Sequence, residues 1–369
     1  MIINFDYSTL EILVTNSSIK SDENIIRSLN NILLSSRDKE HLLLINPDVI
    51  EYLMENYYDV LDQSSIRELD FLRNSDVVDH DAFLTRLPYF INVVWDNAVP
   101  IDEIRASTNP MYSTGIMFNV NILSFKSHIF LGNSFAVISE NETDISFYSK
   151  IAQMHMSQYY RNHEMTTFNS ISGIGGNIGS IIEQSLSNNQ KILIICDPDI
   201  KHPRGIPAND TTYLKAYNAF QRNRKNNIIN FIALKAHEKE NLLPVSWFIE
   251  HNRNFNPCPN VINLENSPYS DRLLFIDFKK GIKKVQLQED TDLLSYYMPV
   301  IEELGIDLDV LEDEDKVFSI SACSNWDRLS SRILRSKRLD EFPDYLQENI
   351  SSIGLNFVGW VIGGRSGIA

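Results

Sequence analysis

"KILIICDPDIKHP", residues 191–203, is the stretch that decides the fold. Five of the six residues from Ile192 to Asp197 are apolar or cysteine, as a strand buried on both faces requires. The run then breaks into Asp197-Pro198-Asp199. Side chains two apart on a strand point the same way, with Cα atoms roughly 6.5–7 Å apart. Pro198 fixes φ and lacks a ladder N–H, which suits a strand that is ending. Two unpaired carboxylates at such an end are costly unless a cation sits between them.

The residues on either side alternate in pattern. "SFAVIS" (134–139), "TTFNSIS" (166–172) and "NIINFIALKA" (227–236) read as strands. Between them, "TDISFYSKIAQMHMSQYY" (143–160), "NIGSIIEQSLS" (177–187) and "TTYLKAYNAFQRN" (211–223) read as helices. Strands separated by helices of this length predict an α/β unit over 131–250, a parallel sheet flanked by helices. Ligands of such sheets bind at the carboxyl ends of the strands, where Asp197 and Asp199 fall. Glu140 ends the first strand at the same edge. Three carboxylates converging there point to a hard divalent ion, Mg²⁺ or Mn²⁺.

Residues 1–130 read as mainly helical and as a scaffold or partner-binding region. Residues 22–35 place Ile25, Ile26, Leu29, Ile32 and Leu33 near one face, with Asp22 as N-cap. Ser65 and Glu68 have capping-box spacing. Residues 251–369 read as an α+β region, with "RLLFIDF" (272–278) as a strand and "DLDVLEDEDK" (307–316) as a solvated acidic loop.

The net charge of −16 over 369 residues argues against binding polyanions through the overall field, though not through a local surface. Basic residues gather at Lys201, His202 and Arg204, at Arg222, Arg224 and Lys225, at Lys279, Lys280, Lys283 and Lys284, and at Arg328, Arg332, Arg335, Lys337 and Arg338. Taken singly, each cluster reads as a solvated face. Cys196, Cys258 and Cys323 are too widely spaced for a zinc cluster or a disulfide framework. No apolar run has the roughly 18 residues a membrane span needs, and the start lacks signal-peptide features, so the expectation is a cytoplasmic protein without membrane contact.

"SGIGGNIGS" (172–180) follows the second strand, but Ile178 stands where a dinucleotide fold needs its third glycine, and no Gly-Lys-Ser/Thr follows. The loop reads either as a tight turn or as backbone passing close to a metal-bound phosphate. The order of these motifs resembles the TOPRIM domain of topoisomerases, primases and OLD-family nucleases, over about a third of the chain. "VISENETDISFY" is similar to the family's Val-Glu-Gly-x-x-Asp opening, with Glu140 on its glutamate and Asn141 in place of its glycine. "AHEKENLLPVSWF" (236–248) resembles the downstream element of stand-alone and OLD-like nucleases of bacterial anti-phage systems. The resemblance implies metal held by Glu140, Asp197 and Asp199, with Glu240 as a second-metal ligand and Glu142 as a weaker candidate. Lys235 or Lys201 would balance charge on a scissile phosphate.

What the resemblance implies is a metal-dependent endonuclease acting on DNA or RNA, an effector of anti-phage defence. A separately encoded ATPase or other subunit would control it, since the chain has no Walker A motif; an oligomer is compatible. A DxD glycosyltransferase remains the alternative enzyme, and a TOPRIM-fold regulatory subunit with a decayed site the non-enzymatic one. A haloacid-dehalogenase phosphatase fits less well, because Lys201 sits where that motif needs Thr or Val.

Overall fold

A computed structural model describes residues 2–5, 7–15, 17–38, 41–74, 80–95, 99–101, 104–108, 116–126, 135–159, 168–173, 175–188, 190–224, 229–320 and 325–361. Lys225 and Cys323, named above, lie outside them.

The first five strands are β1 (Ile2–Phe5), β2 (Leu42–Ile45), β3 (Tyr89–Val94), β4 (Ile104–Thr108) and β5 (Ile116–Asn121). They form a sheet in the order β2-β1-β3-β5-β4, parallel except where β4 pairs with β5. The helices beside it are α1 (Tyr7–Thr15), α2 (Glu23–Arg37), α3 (Pro47–Asn56), α4 (Gln63–Arg73) and α5 (His80–Leu84). The N-terminal region is therefore α/β and not mainly helical. Strands such as "IINF" and "LLLI" are four residues long and wholly buried. At that length an apolar run does not declare its period. A further disguise is polar. Asn4 Nδ2 donates to Asn92 Oδ1 (2.8 Å), Asn92 Nδ2 to Asn119 Oδ1 (3.2 Å) and Asn119 Nδ2 to Ser107 Oγ (2.6 Å), an amide ladder that crosses four strands. The helix expected at 22–35 is α2, and Asp22 caps it by accepting from the Asn24 N–H at 2.9 Å. The Ser65–Glu68 pair is not a cap: it lies inside α4, where Glu68 accepts from Ser36 Oγ at 2.8 Å.

The second sheet has β6 (Phe135–Ser139), β7 (Asn169–Ser172), β8 (Lys191–Cys196) and β9 (Ile229–Ala233). All are parallel, in the order β7-β6-β8-β9. Its helices are α6 (Glu142–Tyr159), α7 (Ile178–Ser187) and α8 (Thr212–Asn223), as the alternation predicts. Strand β8 is buried throughout. Ile192, Ile194 and Cys196 pack with Ile178, Ile182, Ala216 and Ala219 of α7 and α8. Leu193 and Ile195 point the other way, into a core shared with α6. Each fully buried aliphatic side chain of this kind stabilises the fold by about 1.5–3 kcal/mol.

Beyond β9 come α9 (Val245–His251), α10 (Pro259–Glu265), α11 (Lys284–Glu289), α12 (Thr291–Glu303), α13 (Trp326–Ser336) and α14 (Asp344–Val361), with a two-stranded ribbon of β10 (Ile282–Lys283) and β11 (Lys316–Phe318). "RLLFIDF" is not a strand. Residues Ser270–Phe275 form a 3₁₀ helix, and the Asn241 amide takes the carbonyls of Leu273 and Ile276 that a strand partner would have used. The acidic segment 307–316 is largely exposed, as expected.

Helix α14 packs on α6, β1 and β3 together. Its Trp360 meets Tyr89 and Phe118 edge-on, and a Cβ at Gly359 would lie 2.5 Å from the Tyr89 carbonyl oxygen. One hydrophobic core thus draws residues from all three stretches of the chain. No helix among the described residues is long and apolar enough to cross a membrane.

Candidate functional site

Strand β6 ends at Ser139 and delivers Glu140, half-buried, to the carboxyl edge of the second sheet. Two contacts fix that edge: Ser172 Oγ donates to the Glu140 carbonyl at 3.1 Å, and the Gly173 N–H donates to the Ser139 carbonyl at 2.7 Å. A Cβ at Gly173 would stand 2.8 Å from the Ile178 side chain and 3.0 Å from Ser139 O, so only glycine lets the loop pass this close. That glycine serves close packing against the end of β6.

Strand β8 delivers Asp197, half-buried, and Asp199, exposed. Asp199 has φ +53°, left-handed backbone that a non-glycine residue rarely adopts, and its N–H donates to the His237 carbonyl at 3.2 Å. The turn therefore aims Asp199 at a cost that its anchor to the next strand's loop offsets.

A fourth acid joins these three. Asp144, buried at the third position of α6, accepts from the Asn141 N–H at 3.1 Å and ion-pairs with Lys239. Burial, Asp144, Asp199 and Glu140 push the Asp197 carboxyl up to about 8. Burial, Asp199 and Asp144 also raise Glu140, against the charges of Lys279 and Lys239. Sequence reasoning passed over Asp144, although it stands where the quoted opening motif has its aspartate. The acids stand apart: no three of the four carboxylates bring one oxygen each within 4.8 Å of one another. The donor set, all carboxylate oxygen, fits a hard divalent cation such as Mg²⁺.

The other sequence candidates are placed differently. Glu240 is buried in the 3₁₀ helix Lys239–Leu242, with Oε1 3.5 Å from Lys279 Nζ. Burial and Glu238 raise it, and its link to the four acids runs through Lys279 and Lys239, whose charges also act on Glu140. Lys235 is not brought to the site: it is exposed and pairs with Glu348 at 2.6 Å. Glu142 is exposed in the first turn of α6, and Lys201 is half-buried in the loop after Asp199. The lysines that do face the acids are Lys239 and Lys279, which join the site from later loops.

The "ENLLP" segment earns its place through Asn241, fully buried. Its Nδ2 donates to Leu273 O (2.7 Å) and Ile276 O (2.8 Å), and its Oδ1 accepts from the Glu238 N–H (3.1 Å). Asn241→Ala strands these buried groups and is expected to lower stability by about 3 kcal/mol. Urea denaturation measures it; a loss under about 1 kcal/mol would show the tether to be dispensable.

A cleft of about 850 Å³ opens at the start of α6, lined by Thr143 next to Asp144 but by none of the four acids. Thr143 and Ser146 from the first turns of α6 form one wall, and Arg328, Arg332 and Arg335 of α13 form another. Spacings of four and three residues put the three arginines on one face of α13. Among the described residues none of them is in an ion pair, whereas Lys337 and Arg338 from the same sequence cluster pair with Glu250 (2.7 Å) and Asp340 (2.6 Å). Lys150 on α6 is lowered by burial and by the charge of Arg335, so cation faces cation here. Asp327, also on the cleft wall, pairs with Lys239 at 2.6 Å, and Lys239 in turn with Asp144. The acids and the cleft thus share the first turn of α6.

No protein-family model, curated protein or solved structure matches this chain.

Proposed function

We propose that the protein is a divalent-metal-dependent nuclease that hydrolyses phosphodiester bonds in DNA or RNA through a TOPRIM-like site. The observation that carries the reading is the junction at the start of α6, where an acidic edge adjoins a cleft walled by Arg328, Arg332 and Arg335. In a chain of net charge −16, three arginines on one wall, in no ion pair among the described residues, are a local basic surface suited to a phosphate backbone. Among the described residues the cleft offers arginine, asparagine, serine and threonine, with Asp327 and Leu329 and no aromatic ring, so it would hold sugar and phosphate and leave the bases outside.

Glu140, Asp197 and Asp199 would hold Mg²⁺ or Mn²⁺, with Asp144 behind them, and the ion would polarise the scissile phosphodiester and activate water. Arg328, Arg332 and Arg335 position the strand. Lys239 holds Asp144 against the start of α6 and ties it to Asp327 on the cleft wall. The parallel order β7-β6-β8-β9, with its first strand central and its acids at the carboxyl edge, is compatible with the resemblance. The anti-phage effector role and the partner ATPase rest on that resemblance alone.

Labelled single- and double-stranded DNA and RNA, incubated with Mg²⁺ or Mn²⁺, test the activity. Cleavage that EDTA stops is expected; intact substrates in every arm would sink the reading and favour a regulatory subunit. Binding is read separately in EDTA. The triple variant Arg328→Ala, Arg332→Ala, Arg335→Ala should weaken single-strand binding about a hundredfold, since each contact to phosphate is worth roughly 1 kcal/mol. It should also flatten the log–log salt dependence by about 2. An unchanged salt slope would place the nucleic acid elsewhere.

A further inference from the structure

Among the described residues, one group of three side chains of the His, Cys, Asp and Glu types brings its ligand atoms within 4.8 Å of one another. It is His237, Glu238 and Asp277, each at most 6% exposed. The group lies where the loop after β9 meets the segment after the 3₁₀ helix Ser270–Phe275.

His237 Nδ1 lies 3.0 Å from the Ile200 carbonyl oxygen. A carbonyl only accepts, so Nδ1 carries the proton, and in the neutral ring the lone pair is left on Nε2. This is how metal-ligating histidines are commonly oriented. Nε2 stands 3.6 Å from Asp277 Oδ2, long for a hydrogen bond. Two donors on one tetrahedral ion at usual zinc distances stand about 3.3 Å apart, close to this spacing. Asp277 is itself held: Oδ1 accepts the N–H groups of Lys279 (2.9 Å) and Lys280 (2.7 Å). Glu238 Oε2 takes the Lys279 ammonium, while Oε1 is sealed from solvent with no hydrogen-bond partner. A buried carboxylate oxygen left without a partner is a costly defect that a cation removes.

We propose that His237, Glu238 and Asp277 bind a divalent transition-metal ion of the Zn²⁺ type, separate from the acids at the carboxyl edge. One imidazole and two carboxylates suit Zn²⁺ or Mn²⁺, whereas Mg²⁺ and Ca²⁺ prefer oxygen throughout. Burial of all three ligands makes the role structural. The ion would cross-link the loop after β9 to residues 277–280 and so fix Lys279, two residues beyond a ligand.

The proposal does not depend on the nuclease reading, and metal content tests it without activity. The full-length, untagged protein, desalted into Mg²⁺ buffer, is assayed by plasma mass spectrometry before and after incubation with Zn²⁺. About one equivalent of Zn²⁺ is expected to be retained. It should persist in Asp197→Asn/Asp199→Asn and be lost in His237→Gln and in Asp277→Asn. No retained metal after incubation, or metal lost only from the Asp197/Asp199 variant, overturns the proposal and leaves a buried histidine–aspartate contact. Should the ligand variants fail to fold, the wild-type chain decides. Reconstitution with Co²⁺ should give visible d–d bands of a nitrogen- and oxygen-ligated ion, with Zn²⁺ displacing it, and a colourless Co²⁺ mixture overturns the site.

Discussion

Replacing Asp197 and Asp199 together with alanine is expected to lower metal-dependent cleavage at least about a thousandfold, the equivalent of about 4 kcal/mol of transition-state stabilisation. Both residues follow the end of β8, and the charges of Asp199 and Glu140 act on Asp197. Without them the edge keeps Glu140 and Asp144, and Asp144 is already committed to Lys239. The fold should survive, because Asp199 is exposed and Asp197 is held among like charges. One complication is local: at φ +53° alanine is poorly suited, and asparagine tolerates the turn better. Asp197→Asn/Asp199→Asn is therefore the cleaner pair. Single-turnover cleavage and Mg²⁺ calorimetry measure the outcome, and wild-type rates in either pair would refute the site assignment.

The second large effect concerns the metal-free protein. Asp197 has a folded pKa of about 8, against roughly 3.9 for an unfolded aspartate. The folded chain therefore holds a proton that the unfolded chain gives up. The stability linked to that proton is complete below about pH 4 and is lost as pH rises toward 8. In EDTA, the protein should be about 2 kcal/mol less stable at pH 8 than at pH 6 through this group. Saturating Mg²⁺ should recover most of the loss, since the cation takes the proton's place. Asp197→Asn should remove this part of the pH dependence and raise the melting temperature in EDTA at pH 8 by roughly 4–8 °C. Calorimetry on both proteins checks this. A variant that melts lower than wild type under those conditions would mean the acids are not in mutual repulsion.

How far the sequence led depends on separation along the chain. Strands β6, β7, β8 and β9 were legible because apolar or β-prone runs alternate with helices and turn residues. The edge acids were legible because Glu140 and Asp197 immediately follow the last residue of a buried strand, or nearly so. Lys235 was misplaced because proximity to a strand end says nothing about which way an exposed side chain goes, and Glu348 takes it. The partners that complete the site come from afar. Lys239 meets Asp144 across 95 residues and Asp327 across 88, contacts with no periodic trace. The cluster of His237, Glu238 and Asp277 was hidden for the same reason, since His237 and Glu238 are adjacent and the third residue lies 39 or more positions on.

Helix α14 sets an order of events. It fills the space between α6 of the second sheet and β1 and β3 of the first, so it belongs to the core of both. A chain emerging from the ribosome makes both sheets long before residues 344–361, and until then each has an apolar face with nothing on it. Residues 327–335, which supply Asp327 and the cleft arginines, also appear late. The acidic edge and the arginine-lined cleft therefore come together only after α13 has left the ribosome. Such a nascent chain would be sticky, exposing apolar surface that the finished fold covers.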